Sequence, residues 1–166
     1  MSTRVLLADN HKLFRQTLRT LLEQEPGISV VAEAEDGVSA IQQVEELHPD
    51  MVIMDVVMPC LNGVEATRRI LSAHPEVKVI ALSLHEDMRF VEGMLSARAK
   101  GYLMKDIDSK ALLQAIHTVA EGGTCLCPRL RGSKSRRAEG SKGRRVEEPE
   151  SPDDLQRDSL RTKRAS

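Results

Sequence analysis

The sequence predicts an α/β fold built on a doubly wound parallel sheet of five strands in the order 2-1-3-4-5. Two observations lead to this prediction: short, mainly apolar runs alternate with segments of helical periodicity five times, and the third of these runs is apolar throughout. Strict alternation of strand and helix is typical of a parallel sheet covered by helices on both faces. Right-handed crossovers then leave few topologies, of which we expect the order 2-1-3-4-5.

The predicted strands are apolar runs of four to six residues, each ended by polar or turn-forming residues. The third run, Met-Val-Ile-Met at 51–54, is apolar throughout, as expected of a strand that is buried on both faces. The five runs span residues 5–8, 28–32, 51–54, 77–82 and 101–104.

The predicted helices carry apolar residues at helical spacing and end at proline or glycine. In the first, Phe14, Leu18, Leu21 and Leu22 lie at i, i+4, i+7 and i+8, and the prolyl-glycyl pair at 26–27 ends the segment. The other four helices are predicted near 37–47, 64–73, 88–97 and 109–120.

Composition divides the chain near residue 128. Residues 1–128 carry a net charge of −6, whereas residues 129–166 carry +5 and contain only four large aliphatic side chains. Such a segment cannot bury enough apolar surface to fold alone. We therefore predict a folded domain at 1–128 and a disordered, low-complexity basic and acidic tail at 129–166.

Cysteine usage and hydropathy predict a cytoplasmic protein. The cysteines, Cys60, Cys125 and Cys127, are odd in number and form no zinc-binding pattern. The chain opens with no signal peptide and contains no apolar run near the ~18 residues of a membrane helix. Aromatic residues are only 2% of the chain, which argues against a stacking platform for nucleic-acid bases.

Polar residues follow the ends of four predicted strands. Asp9 and Asn10 follow the first strand, Asp55 the third, Ser83 the fourth and Lys105 the fifth. In open α/β sheets the ligand crevice lies beyond these carboxyl ends. Carboxylate and amide oxygens suit Mg²⁺, and a carboxylate can attack phosphorus to give an aspartyl phosphate. An ammonium and a hydroxyl can then contact the charged product.

Four motifs carry these residues: VLLADNH at 5–11, MDVVMP at 54–59 with Gly63 following, ALS at 81–83, and GYLMKD at 101–106. Together they resemble the receiver domains of bacterial two-component response regulators, in the branch usually joined to a LuxR-type helix-turn-helix domain. The resemblance covers residues 3–128. It implies a flavodoxin-like fold and a phosphorylation-dependent signalling switch in transcriptional regulation, rather than an enzyme.

The resemblance also implies a role for each site residue. Asp55 would accept a phosphoryl group from a sensor histidine kinase, and Ser83 and Lys105 would contact that group. Tyr102 would be the switch aromatic, whose ring turns inward as Ser83 moves. The ligands implied for Mg²⁺ are Asp9, Asn10, Asp55 and the backbone carbonyl of Val57.

The chain departs from the family in two places. Asn10 stands where the family normally has a second acid, so we expect weaker Mg²⁺ binding. The tail at 129–166 lacks the helix-turn-helix of the branch, so we expect no sequence-specific DNA binding by this chain and no membrane association. A homodimer through the receiver domain is a further partner that the resemblance allows.

Alternative functions are weighed against the same residues. A hydrolase with an aspartyl-phosphate intermediate would need an acid at position 57, where this chain has Val57. A flavin carrier would need a Ser/Thr/Gly-rich loop after the first strand, where this chain reads DNHK. A receiver-like module that binds partners without phosphate stays open because of Asn10, and so does a DNA-binding regulator truncated by a shifted reading frame.

Overall fold

The computed structural model describes residues 2–128 and 130, which lie within a compact unit that runs from Met1 to Gly132. Strands and helices alternate along the chain as the sequence predicts. In order they are β1 Thr3–Ala8, α1 Lys12–Glu23, β2 Ile28–Ala34, α2 Gly37–Leu47, β3 Met51–Met54, α3 Gly63–Ala73, β4 Lys78–Ser83, α4 Met88–Ser96, β5 Gly101–Met104, α5 Ser109–Ala120 and β6 Cys125–Leu126.

The strands form one parallel sheet in the order β2-β1-β3-β4-β5-β6. The predicted fold class and the order 2-1-3-4-5 are therefore confirmed. The structure adds a sixth strand of two residues, which pairs Cys125 with Gly101 and Leu126 with Tyr102. Two residues are too few to show a period in the sequence, so this strand was missed, and β5 is an internal strand instead of the edge of the sheet.

Alternate residues of the central strand β3 face two separate apolar layers. Val52 and Met54 pack with side chains of α2, α3 and α4, whereas Met51 and Ile53 pack with side chains of α1 and α5. Because successive side chains of a strand point to opposite faces, a strand covered by helices on both sides must be apolar throughout. All four residues of β3 are buried, as the unbroken apolar run predicts.

The loop that follows β3 is fixed by the start of α3. The side chain of Asn62 accepts a hydrogen bond from the backbone N–H of Glu65 at 2.9 Å, which caps the helix. The N–H of Gly63 donates to the carbonyl oxygen of Val56 at 2.8 Å. The cap and this backbone bond hold the segment after Asp55 against the body of the domain.

The core extends beyond the predicted domain boundary at residue 128. Leu130 is only 4% exposed and belongs to the same apolar layer as Cys127 and Tyr102. Its N–H donates to the carbonyl oxygen of Cys127 at 2.9 Å. Apart from Leu130, the predicted disordered tail at 129–166 lies outside the described residues.

Removal of the Leu130 side chain therefore gives a test of this extension. We expect Leu130→Ala to lower the free energy of unfolding by about 2–3 kcal/mol, because it leaves a cavity in this apolar layer. Leu13→Ala is the matched control: Leu13 is 78% exposed, so the change there should be about 0.5 kcal/mol or less. Chemical denaturation of the two full-length variants measures both. Equal losses would contradict the burial of Leu130.

Candidate functional site

The carboxyl ends of the strands bring the predicted site residues to one edge of the sheet. Backbone hydrogen bonds continue the sheet into this edge: Asp9 N–H donates to Ala34 O at 3.0 Å, Asp55 N–H to Ala8 O at 2.8 Å, and Lys105 N–H to Ser83 O at 2.8 Å. The main chain of each site residue is thus held by a neighbouring strand. This gives the side chains fixed starting points before any ligand binds.

A buried ammonium lies between two buried carboxylates. Lys105 Nζ is 2.6 Å from Asp9 Oδ2 and 3.3 Å from Asp55 Oδ2, and the three side chains are between 4% and 7% exposed. The ring of Phe14 lies under the same ammonium, with its centroid 4.7 Å from Nζ. The contacts neutralise part of the negative charge in a site that water hardly reaches, which buried ions require.

Of the two carboxylates, that of Asp55 has a buried oxygen without a hydrogen-bond donor among the described residues. Its Oδ2 atom is buried and accepts no hydrogen bond from any described residue, although the Lys105 ammonium is near enough for an ion pair. Burial raises the pKa of Asp55 and the Asp9 carboxylate raises it further, while Lys105 and the backbone N–H of Val57 oppose this. The Oδ2 atom of Asp55 therefore has the Lys105 ammonium as an ion-pair partner but no described hydrogen-bond donor with good geometry.

The raised pKa of Asp55 makes its ionised form destabilising. Between the usual carboxyl pKa of about 3.9 and the higher folded value, the native state binds more protons than the unfolded state, so stability falls as pH rises. We expect Asp55→Asn to raise the Tm by about 2–4 °C at neutral pH in metal-free buffer. This gain should disappear as the pH is lowered below that window.

Thermal unfolding across a pH series measures the effect. The control is Asp106→Asn, since Asp106 is an exposed acid beside the same edge of the sheet. A gain for Asp55→Asn that persists unchanged into acid would contradict a raised pKa for this carboxyl.

Ser83 and Tyr102 are joined through the loop between β4 and α4. The Oγ atom of Ser83 accepts from the N–H of His85 at 3.0 Å, and the hydroxyl of Tyr102 donates to the carbonyl oxygen of His85 at 2.9 Å. Both side chains are fully buried. Tyr102 therefore points inward beneath this loop, and it does not lie on the surface as an edge-strand residue would. Burial also raises the pKa of its phenol.

The model of the response regulator receiver domain matches residues 5–117. The chain belongs to this family. Similar proteins include the transcriptional regulatory protein DegU of Brevibacillus brevis, 43% identical over 126 residues, and the oxygen regulatory protein NreC of Staphylococcus epidermidis, 36% identical over 122 residues. The alignments cover 76% and 73% of this chain, but 53% and 56% of those proteins. The chain thus spans little more than half the length of these relatives.

Solved structures agree with the assignment. A LuxR-family response regulator from Aurantimonas has a TM-score of 0.79 and 33% identity, covering 84% of this chain and 100% of that one. The receiver domain of the putative regulator NarL from Mycobacterium tuberculosis has a TM-score of 0.70 and 29% identity, covering 73% and 98%. The predicted family and its LuxR-type branch are confirmed. Within the described residues, none of the receiver domain's helices combines the length and the apolar character needed to cross a bilayer.

The two remaining predicted metal ligands of the receiver domain lie on loops at the same edge. Asn10 lies two residues after the end of β1 and is exposed, and Val57 lies two residues after Asp55 and is 45% exposed. Their roles as ligands stay predictions, as do those of Asp9 and Asp55. Among the described residues, one group of three could hold a metal ion: Asp9, His11 and Asp55. Each offers one ligand atom, and these atoms lie within 4.8 Å of one another.

Two residues near the site were missed in the sequence. His11 was read only as part of the motif after β1, yet its Nδ1 atom lies 3.0 Å from Asp9 Oδ1. Arg15 is 6% exposed, and its Nη1 atom donates to the carbonyl oxygen of Asp9 at 2.5 Å while Nε donates to Glu33 at 2.9 Å. A lone arginine in an amphipathic helix gives no signal in the sequence, because its carboxylate partner, Glu33, lies on strand β2.

Proposed function

We propose that this receiver domain accepts a phosphoryl group on Asp55 from a sensor histidine kinase and passes the signal on as a conformational change. The observation that supports it best is the buried Oδ2 atom of Asp55, which accepts no hydrogen bond from a described residue and lies 3.3 Å from Lys105 Nζ. Such an oxygen is an available nucleophile beside a fixed positive charge. Phosphoryl transfer depends mainly on positioning and on neutralisation of the phosphoryl oxygens.

The transfer itself is a displacement at phosphorus. A carboxylate oxygen of Asp55 forms the new O–P bond as the bond from phosphorus to the donor's leaving group breaks, and the leaving group keeps the electron pair. The Lys105 ammonium, already paired with Asp55, neutralises part of the charge on the acyl phosphate formed. Asp9 shares that ammonium and holds it in the site.

The residues present fit a divalent cation, because two buried carboxylates converge and one of their oxygens lacks a hydrogen-bond donor among the described residues. Asp9 and Asp55 would hold Mg²⁺, with the amide oxygen of Asn10 and the carbonyl of Val57 completing the predicted set. When bound, the cation neutralises phosphoryl oxygens during transfer. The loss of one acid at position 10 lowers the attraction for Mg²⁺ without removing the acceptor Asp55.

The proposed conformational change depends on the two hydrogen bonds that connect Ser83 and Tyr102 through the backbone of His85. A phosphoryl group on Asp55 offers the Ser83 hydroxyl an acceptor outside the loop, and the Ser83 oxygen would then give up the N–H of His85. Because the hydroxyl of Tyr102 holds the carbonyl of the same His85, the loop and the ring move together. We propose that this coupling changes the surface formed by α4, β5 and α5.

The test is acid-labile labelling with a small acyl phosphate and Mg²⁺. We expect the wild-type chain to gain one phosphoryl group, Asp55→Asn to gain none, and Asp106→Asn to behave as the wild type. Labelling of Asp55→Asn at the wild-type level would exclude Asp55 as acceptor. No labelling of the wild type would favour the alternative in which the receiver domain binds its partners without phosphate, which Asn10 leaves open and against which Asp55 and Lys105 argue.

The role of the domain in transcriptional regulation and its possible homodimer are also proposals. DegU is named as a transcriptional regulatory protein and NreC as an oxygen regulatory protein, and this chain spans little more than half of their length. We propose a role in transcriptional regulation in the cytoplasm through the receiver surface, with or without a receiver homodimer. Sequence-specific DNA binding by residues 129–166 is still not expected.

A further inference from the structure

The imidazole of His11 lies against the two carboxylates of the site. Its Nδ1 atom is 3.0 Å from Asp9 Oδ1 and 3.7 Å from Asp55 Oδ2. The backbone N–H of His11 donates to the same Asp9 oxygen at 2.8 Å, which fixes the residue at the start of α1. The His11 side chain is 55% exposed, whereas the side chains of Asp9 and Asp55 are 7% and 5% exposed.

Two further observations show that a cation is accommodated at this place. The Lys105 ammonium contacts the same three residues, at 2.6 Å from Asp9, 3.3 Å from Asp55 and 3.3 Å from His11 Nδ1. Asp55 Oδ2 is buried and accepts no hydrogen bond from a described residue. Asp55 also contributes one carboxylate oxygen to a group of potential ligand atoms, with Asp9 and His11, that lie within 4.8 Å of one another. The site therefore offers an unsatisfied oxygen beside an imidazole nitrogen.

The residue at position 10 affects which metal ion the site prefers. Asn10 is neutral, so the site has two carboxylates against one ammonium. Mg²⁺ is bound through oxygen ligands and keeps several waters, so it gains little from imidazole. Borderline first-row cations bind imidazole well, and their affinity rises from Mn²⁺ through Co²⁺ to Ni²⁺.

We propose that His11 Nδ1 is a third metal ligand in this receiver domain, and that it shifts the metal preference from Mg²⁺ towards a borderline cation of the Co²⁺ class. The inference rests on the proposed function, because the cation would serve the same Asp55. The His11 ring takes over part of the attraction that an acid at position 10 would supply. Asp9 and Asp55 provide the charge, and His11 provides the selectivity.

The test is calorimetric titration of the full-length chain, without phosphodonor, with Co²⁺ and separately with Mg²⁺. We expect the wild type to bind Co²⁺ more tightly than Mg²⁺. His11→Ala should weaken Co²⁺ binding by about tenfold or more and leave Mg²⁺ binding unchanged. The visible absorption of bound Co²⁺ should change in the same variant, because a nitrogen ligand is lost.

His117→Ala is the matched control. His117 lies in α5 with a 45% exposed side chain, and its Nε2 atom is 2.9 Å from Glu25, so it also pairs with one acid. His117→Ala should bind Co²⁺ and Mg²⁺ as tightly as the wild type does. Asn10→Asp should tighten Mg²⁺ binding and narrow the preference for Co²⁺. His11→Gln, which keeps a polar side chain without imidazole, replaces His11→Ala if the latter unfolds by circular dichroism.

Three results would overturn the proposal: no preference for Co²⁺ in the wild type, equal weakening of both metals in His11→Ala, or Co²⁺ binding that His11→Ala does not change. The last would place the cation elsewhere, for example at the cysteines. The outcome is separable from the proposed function. Asp55 labelling with no Co²⁺ preference contradicts only this inference, whereas the preference without any labelling contradicts only the phosphoryl acceptor.

Discussion

Replacement of Lys105 by methionine is expected to lower the free energy of unfolding by about 3–5 kcal/mol at neutral pH in metal-free buffer. The change removes the ammonium between two carboxylates, Asp9 and Asp55, that are 5% and 4% exposed. Both carboxylates then remain close together in a site of low dielectric without the ammonium that pairs with them. Methionine keeps a chain of similar length over the Phe14 ring, so lost packing contributes little. Equilibrium denaturation measures the loss.

Two companion variants separate charge from packing in this result. Lys100→Met removes an exposed ammonium and should change stability by about 0.5 kcal/mol or less. Adding Asp55→Asn to Lys105→Met should recover a large part of the loss, since one of the two unpaired carboxylates is gone. A Lys105→Met protein as stable as the wild type, or no recovery in the double variant, would contradict a charge-neutralising role for Lys105.

Replacement of Gly63 by alanine is expected to cost about 3 kcal/mol and to disturb the acceptor itself. A Cβ atom at this position would overlap the carbonyl oxygen of Asp55 and lie 2.9 Å from the Cα of Val56. The obstacle is backbone, which cannot rotate aside as a side chain can. The Gly63 N–H also bonds to the Val56 carbonyl, so any relief moves the loop that follows Asp55.

Gly93→Ala supplies the comparison for Gly63→Ala. Gly93 lies inside α4, and a Cβ there would meet Cγ1 of Val64 at 3.1 Å, a side-chain atom that can give way. Helix propensity favours alanine by about 1 kcal/mol, so we expect a change near zero or a small gain. Thermal unfolding and Asp55 labelling should be read together. Similar behaviour of the two variants would mean that the close approach at Gly63 is not as tight as described.

The elements that sequence predicted well are those with a repeated signal. The apolar run at 51–54 predicted a strand buried on both faces, and the apolar stripe from Phe14 to Leu22 predicted α1, because each pattern samples its period several times. The edge of the sheet that holds Asp9, Asp55 and Lys105 followed from topology, since parallel strands end together. The role of Tyr102 as the switch aromatic was predicted from the family resemblance alone, and in the structure its side chain is buried.

The features that sequence missed depend on contacts between distant segments. Strand β6 has two residues and is defined by its pairing with Gly101 and Tyr102. Leu130 looked like part of a polar tail, because one leucine among basic residues does not show that it packs on the core. His11 and Arg15 acquire their roles from Asp9 and Glu33, which lie on other elements. No local period in the sequence records such pairings.

The most direct measurement of the central claim is the identity of the phosphorylated residue. The wild-type chain is incubated with a small acyl phosphate and a divalent cation, and the acyl phosphate is then reduced with hydride, which converts a phosphorylated aspartate to homoserine. Peptide mass spectrometry locates the change. We predict homoserine at position 55 alone, absent when the phosphodonor is omitted. Homoserine at Asp9 or at another acid, with position 55 unmodified, would contradict the proposed function.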